Sequence, residues 1–121
     1  MKTLLIVDDQ AEIRELVQIT LRTSELKVIQ ADNGQKAVDI ALSEQPDLII
    51  MDIDMPGTMN GLEAARTLKS NPKTRNITIV MLTGKDREED RQRGKDAGAD
   101  DYFTKPFSPL ELIKKVEDVL G

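Results

Sequence analysis

The chain contains no cysteine, no histidine and no tryptophan, and its aromatic side chains are three: Tyr102, Phe103 and Phe107. Each absence excludes a chemistry. Without thiols there is no disulfide framework and no thiolate nucleophile, and without imidazole there is no histidine base and no ordinary zinc site. Aromatics confined to one short stretch offer no platform for stacking successive bases, and a formal net charge of −5 repels a phosphate backbone. Direct nucleic-acid binding is therefore not expected. The apolar runs at Leu4–Val7 and Leu48–Met51 have four residues each, against the roughly 20 that a membrane helix needs. With no signal-peptide pattern and no cysteine, we expect a cytoplasmic protein without a membrane partner.

What is present is more informative. A length of 121 residues suits a single domain over residues 1–121. Residues 1–60 hold 5 basic and 11 acidic side chains, whereas residues 61–121 hold 12 and 11. The acidity is thus concentrated in the first half.

The hydrophobic pattern switches repeatedly between two periods. Short apolar, β-branched runs predict strands over 3–7, 48–51 and 77–82, with weaker ones over 27–30 and 101–104. Between them, Ile13, Leu16, Val17, Thr20 and Leu21 recur at helical spacing and predict a helix over 12–22. Ala37, Val38, Ala41 and Leu42 repeat that spacing after Asp32-Asn33-Gly34, as do Leu62, Ala65 and Leu68 after Gly61. A last helix should begin at Ser108-Pro109-Leu110-Glu111, which joins an N-cap, a first-turn proline and a capping-box glutamate. The stretch from Lys85 to Asp96 has helix-forming composition but no strong apolar side chain. We expect it to be the most loosely held helix: a Glu89–Arg93 pair favours it, while Arg87 with Arg91, Asp86 with Asp90, and Gly94 oppose it. Five strands alternating with five helices require a parallel sheet with right-handed crossovers, hence an α/β three-layer sandwich.

Such sheets carry their chemistry at the C-terminal ends of the strands. Strand one is followed by Asp8-Asp9, strand three by Asp52, strand four by Thr83 and strand five by Lys105. If these strands are neighbours, three carboxylates, a hydroxyl and an ammonium meet at one edge. Two carboxylates ~5 Å apart repel by about 3 kcal/mol at an effective dielectric of 20, so the cluster needs cations. Magnesium suits it, since Mg²⁺ takes a few carboxylate oxygens and accepts a phosphoryl oxygen besides; Mn²⁺ is a possible substitute. An aspartate beside a divalent ion and a lysine is a nucleophile for phosphoryl transfer, with Asp52 attacking phosphorus while Lys105 and Thr83 bind phosphoryl oxygens.

These residues in this order resemble response-regulator receiver domains, the CheY-like superfamily of two-component signalling, over essentially the whole chain. The resemblance rests on Ile6-Val7-Asp8-Asp9, Asp52, Met55-Pro56, Gly61, Thr83-Gly84, Ala97-Gly98-Ala99, Tyr102 and Lys105-Pro106-Phe107. It implies a flavodoxin-like sheet of order 2-1-3-4-5 and Asp52 as phosphoacceptor. It also implies Mg²⁺ held by Asp9, Asp52 and the Asp54 backbone carbonyl, with Asp8 acting through water. Thr83 and Tyr102 would be the switch pair and Lys105–Pro106 a cis peptide. The implied partners are a sensor histidine kinase or phosphotransfer protein, and a downstream protein on the face of helix four, strand five and helix five. The chain would be monomeric or a weak, phosphorylation-linked dimer. It departs from the family in one respect: Gly61 follows Asp52 by nine positions instead of eight. Asp54 and Lys85 flank the expected path of hydrolytic water, and a pair between them would tune phosphoryl lifetime.

Two other readings remain open at this point. The segment Leu48–Asp54 is similar to the first motif of haloacid-dehalogenase-type phosphatases, which would make the protein an enzyme with turnover instead of a module that catalyses only its own phosphorylation and dephosphorylation. A receiver-like docking module without phosphorylation is the other. A phosphate-binding loop of the Gly-x4-Gly-Lys type does not occur.

Overall fold

The computed structural model describes residues 1–22, 25–84 and 88–121. Strands and helices alternate throughout: β1 (Lys2–Val7), α1 (Ala11–Leu21), β2 (Leu26–Ala31), α2 (Gly34–Glu44), β3 (Leu48–Asp52), α3 (Gly61–Ser70), β4 (Thr78–Gly84), α4 (Glu88–Asp96), β5 (Asp101–Lys105) and α5 (Pro109–Leu120). All strand pairs are parallel, in the order β2-β1-β3-β4-β5. The flavodoxin-like three-layer arrangement is therefore the fold. Several strands run a residue or two past their apolar pattern, because Asp52, Thr83 and Lys105 are still paired in register: Asp52 with Leu82, Thr83 with Thr104 and Gly84 with Lys105.

The pleat divides the core in two. Leu4, Ile6, Ile50, Val80 and Leu82 point to one face, where Val17 and Leu21 of α1 and Leu112 and Val116 of α5 cover them. Leu5, Val7, Ile49, Met51, Ile79 and Met81 point to the other, beneath α2, α3 and the end of α4. Strands covered on both faces explain why their sequences read as continuous apolar runs.

Helix ends follow their local chemistry. Asn60 and Glu63 form a capping box at α3, and Ser108 and Glu111 form the expected one at α5, with Pro109 in its first turn. α4 buries Asp90 and Gly94. Its ion pairs also differ from the expected one: Arg91 meets Glu88 at 3.3 Å and Arg93 meets Asp90 at 3.4 Å. Three-residue spacing prevails because Asp90 faces inward, where Arg93 reaches it, whereas Glu89 is exposed.

The loop after β3 folds back tightly onto its strand. The Gly61 amide donates to the Ile53 carbonyl at 3.0 Å, and a Cβ on Gly61 would lie 2.0 Å from the Asp52 carbonyl oxygen. Across the loop, a Cβ on Gly34 would lie 2.5 Å from the Met59 carbonyl oxygen. The longer loop is thus clamped between the end of β3 and the start of α2, and it turns at Gly57, where φ is +101°.

Candidate functional site

The order β2-β1-β3-β4-β5 reverses direction between β1 and β3, and this switch point is where an open parallel sheet leaves a crevice beyond its strand ends. Asp8 and Asp9 follow β1 there, and Asp52 closes β3 beside them. Carboxylate oxygens of the three lie within 4.8 Å of one another.

Their environments differ sharply. Asp8 is fully buried. Its Oδ1 accepts a hydrogen bond from the Gln10 amide at 2.9 Å, and its Oδ2 lies 2.7 Å from the Lys105 ammonium. Arg14 of α1 donates to the Asp8 carbonyl at 2.7 Å, fixing the backbone from which both acids project. Asp9 is exposed and Asp52 is half-buried. Lys105 reaches Asp52 at 3.4 Å, so one ammonium bridges two carboxylates.

Burial, and then the neighbouring charge of Asp8, push the Asp52 carboxyl up from 3.8 to about 6, although Lys105 pulls the other way. Burial also works against the Lys105 ammonium, but its hydrogen bond to Asp8 and the attraction of Asp52 hold it above the usual lysine value. Among the described residues, three acids face one ammonium, which leaves an excess of negative charge. A set of carboxylate oxygens this close, one pinned and two open to the crevice, fits a hard divalent cation with oxygen ligands.

Thr83, at the end of β4, is buried, and its hydroxyl has no hydrogen-bond partner among the described residues. Asp54 is exposed on the loop after β3. Lys85 lies outside the described residues, and the expected pair between it and Asp54 lies there with it. The Lys105–Pro106 peptide is cis. Tyr102 is 41% exposed and does not fill the core; Phe103 and Phe107 instead pack against each other on the α1 and α5 side, 4.9 Å between ring centroids.

Two contributors were not visible in the sequence. One is Arg14, whose hold on the Asp8 backbone has no spacing signature. The other is Arg91 of α4, whose guanidinium carbon stands 4.4 Å from the Tyr102 ring centroid; nothing in that polar helix sets it apart from Arg93 by sequence.

With this geometry in place, comparison with known proteins identifies the class. The response regulator receiver domain model matches residues 4–117, and the chain belongs to that family. The phosphate regulon transcriptional regulatory protein PhoB of Pseudomonas aeruginosa is 45% identical over 119 residues, which cover 98% of this chain and 52% of that protein. The alkaline phosphatase synthesis transcriptional regulatory protein PhoP of Bacillus subtilis is 41% identical, over 98% of this chain and 48% of its own length. The chain thus spans about half the length of the curated relatives it matches. Among solved structures, a putative response regulator from Chloroflexus aurantiacus superposes with a TM-score of 0.92 at 34% identity, covering 98% of this chain and 97% of that one. The chemotaxis response regulator CheY4 of Vibrio cholerae gives 0.91 at 34% identity, with 98% of each chain covered. The phosphatase alternative gains no support from these likenesses. Among the described residues, no helix is long and apolar enough to cross a membrane.

Proposed function

We propose that the chain is a phosphoacceptor switch in which Asp52 receives a phosphoryl group from a histidine kinase, a phosphotransfer protein or a small phosphodonor. The observation that carries this reading is the single ammonium of Lys105 spanning Asp8 and Asp52 at the switch point of the sheet.

A carboxyl with a pKa of about 6 is roughly nine-tenths ionised at pH 7, so Asp52 is available as a nucleophile. One of its oxygens forms the new O–P bond while the donor's P–N or P–O bond breaks, and the bonding pair leaves with the donor. Lys105 pairs with one phosphoryl oxygen, and the Thr83 hydroxyl, which has no partner among the described residues, donates to another. Asp9, Asp52 and the Asp54 carbonyl would hold Mg²⁺, with Asp8 acting through water; the ion would supply charge neutralisation for the phosphoryl group. Asp54, two positions after the acceptor, and Lys85, two after Thr83, are our candidates for tuning the lifetime of the acyl phosphate.

Drawing Thr83 toward the phosphoryl group opens room beside it, into which the Tyr102 ring turns from its exposed position. The face of α4, β5 and α5 then changes shape, and a protein partner reads the change. Control of transcription, which the names of PhoB and PhoP state of those proteins, is one process such docking would serve.

Intact-mass measurement after exposure to acetyl phosphate tests the chemistry. We expect one phosphoryl group on the parent with Mg²⁺, none in chelator and none on Asp52→Asn. Phosphorylation of Asp52→Asn to the parental extent would overturn the assignment, and multiple turnover on phosphate monoesters would revive the phosphatase reading.

A further inference from the structure

α4 contributes no large apolar side chain to the core: the residues it buries are Asp90 and Gly94. A half-open cavity of about 400 Å³ lies between α4, β4 and β5, bordered by Met81, Thr83, Arg91, Gln92, Gly94 and Tyr102. Met81 and Tyr102 are partners in register, so the phenol stands at the mouth of this cavity and beside the strand that carries Thr83. Over the ring stands Arg91. Its guanidinium lies 4.4 Å from the ring centroid, and one terminal nitrogen meets Glu88 at 3.3 Å. Its Nε is buried and lacks a hydrogen-bond acceptor among the described residues. The planar face toward Tyr102 is therefore a principal use this side chain finds.

We propose that Arg91 is a positioning residue for Tyr102: stacked on the ring from α4, it weights the ring toward its exposed position and so sets how readily the unphosphorylated protein enters its signalling state. This rests on the reading of Tyr102 and Thr83 as a switch pair. The contact exists only while the ring is outside, so its whole free energy acts as a bias between the two states. A cation–π contact at a partly exposed site corresponds to about a two- to fivefold change in that ratio. Lysine keeps the charge but has no plane to lay on the ring, so it should hold the bias incompletely.

The chain has one tyrosine, and replacing it biosynthetically with 3-fluorotyrosine gives a single ¹⁹F signal that reports this ring alone. In the parent, beryllofluoride with Mg²⁺ should move that signal from a resting to an activated position. Without activator, Arg91→Ala should shift it along the same line, with the inward-to-outward ratio raised about two- to fivefold, and Arg91→Lys should lie between. Glu89→Ala, at an exposed position of the same helix outside the cavity lining, should stay at the parental position and controls for general loosening of α4. An unshifted signal in Arg91→Ala, in a parent that does respond to activator, overturns the role of Arg91. Equal displacement by Glu89→Ala overturns it too. A parent whose signal ignores beryllofluoride overturns the switch reading beneath it. Should Arg91→Ala fail to fold, Arg91→Lys carries the test.

Discussion

Two halves of one sheet face are built to opposite specifications. The β3–α3 half carries the acceptor, and little in it can move. α3 has a capping box and buries Leu62, Ala64, Ala65 and Leu68, and Gly61 closes against the Asp52 carbonyl with no room for a methyl group. The β4–α4–β5 half carries Thr83, Arg91 and Tyr102, and there a polar helix lies over a cavity. The difference separates two tasks. In-line attack requires the Asp52 carboxylate to be held in a narrow geometry, whereas signalling requires an element that small forces can redistribute between positions.

The comparison is broken most directly at Leu68, which is 1% exposed in the core of the rigid half. Leu68→Ala should cost about 2–5 kcal/mol, through lost transfer free energy and a residual cavity. Denaturant unfolding checks this, and a cost below 1 kcal/mol would mean that α3 is no better anchored than α4.

A second prediction concerns the price of rigidity at the acceptor. Asp52 has a pKa of about 6 in the folded chain against an ordinary 3.8. Between those values the native state binds more protons than the unfolded one, so the metal-free protein loses stability as pH rises from about 4 through 6, and is most favoured below that window where Asp52 is protonated in both states. Asp52→Asn cannot ionise and should escape this loss. In chelator at pH 7 it should be more stable than the parent by about 1–2 kcal/mol, allowing for the water that still reaches the carboxylate, and the gap should close near pH 4. Urea titrations at the two pH values test this; a gap that does not grow with pH would show that Lys105 already neutralises the site.

Much of this division was legible in the sequence, for identifiable reasons. Strands buried on both faces write themselves as apolar runs, and the chemistry of a parallel sheet gathers at strand ends, so Asp8, Asp9, Asp52, Thr83 and Lys105 could be found by asking what terminates each run. The Ser108 to Glu111 capping box is local and is marked by the proline after Ser108; that of Asn60 and Glu63 has the same spacing but no proline to set it apart. The unread contacts link different elements. Arg14 reaches back to the Asp8 carbonyl, Lys69 ties the Arg75 and Ile77 carbonyls to Asp100, and Arg91 crosses from α4 to Tyr102. No periodicity records such meetings, since they depend on where helices lie over the sheet. The pairing within α4 differs from the expected one for a similar reason: four-residue spacing governs an isolated helix, but with Asp90 turned inward Arg93 meets it instead.

The smallest expected effect is also the one that distinguishes a loosely packed α4 from a poorly made one. Gly94 is a helical glycine, and alanine there should recover up to about 1 kcal/mol of backbone propensity. The added Cβ would meet Met81 Cγ at 3.3 Å, a contact close enough that the methionine must give way by a few tenths of an ångström. In a filled core that would cancel the gain, as it would beneath α3. Met81 borders the cavity, however, and its unbranched side chain has somewhere to go. Gly94→Ala should therefore stabilise the protein by about 0.5 kcal/mol, measured as a rise in the urea midpoint with unchanged m-value. A net loss would show that the space beside Met81 is closed to it, and the contrast between the two halves would then lie in polarity alone and not in packing.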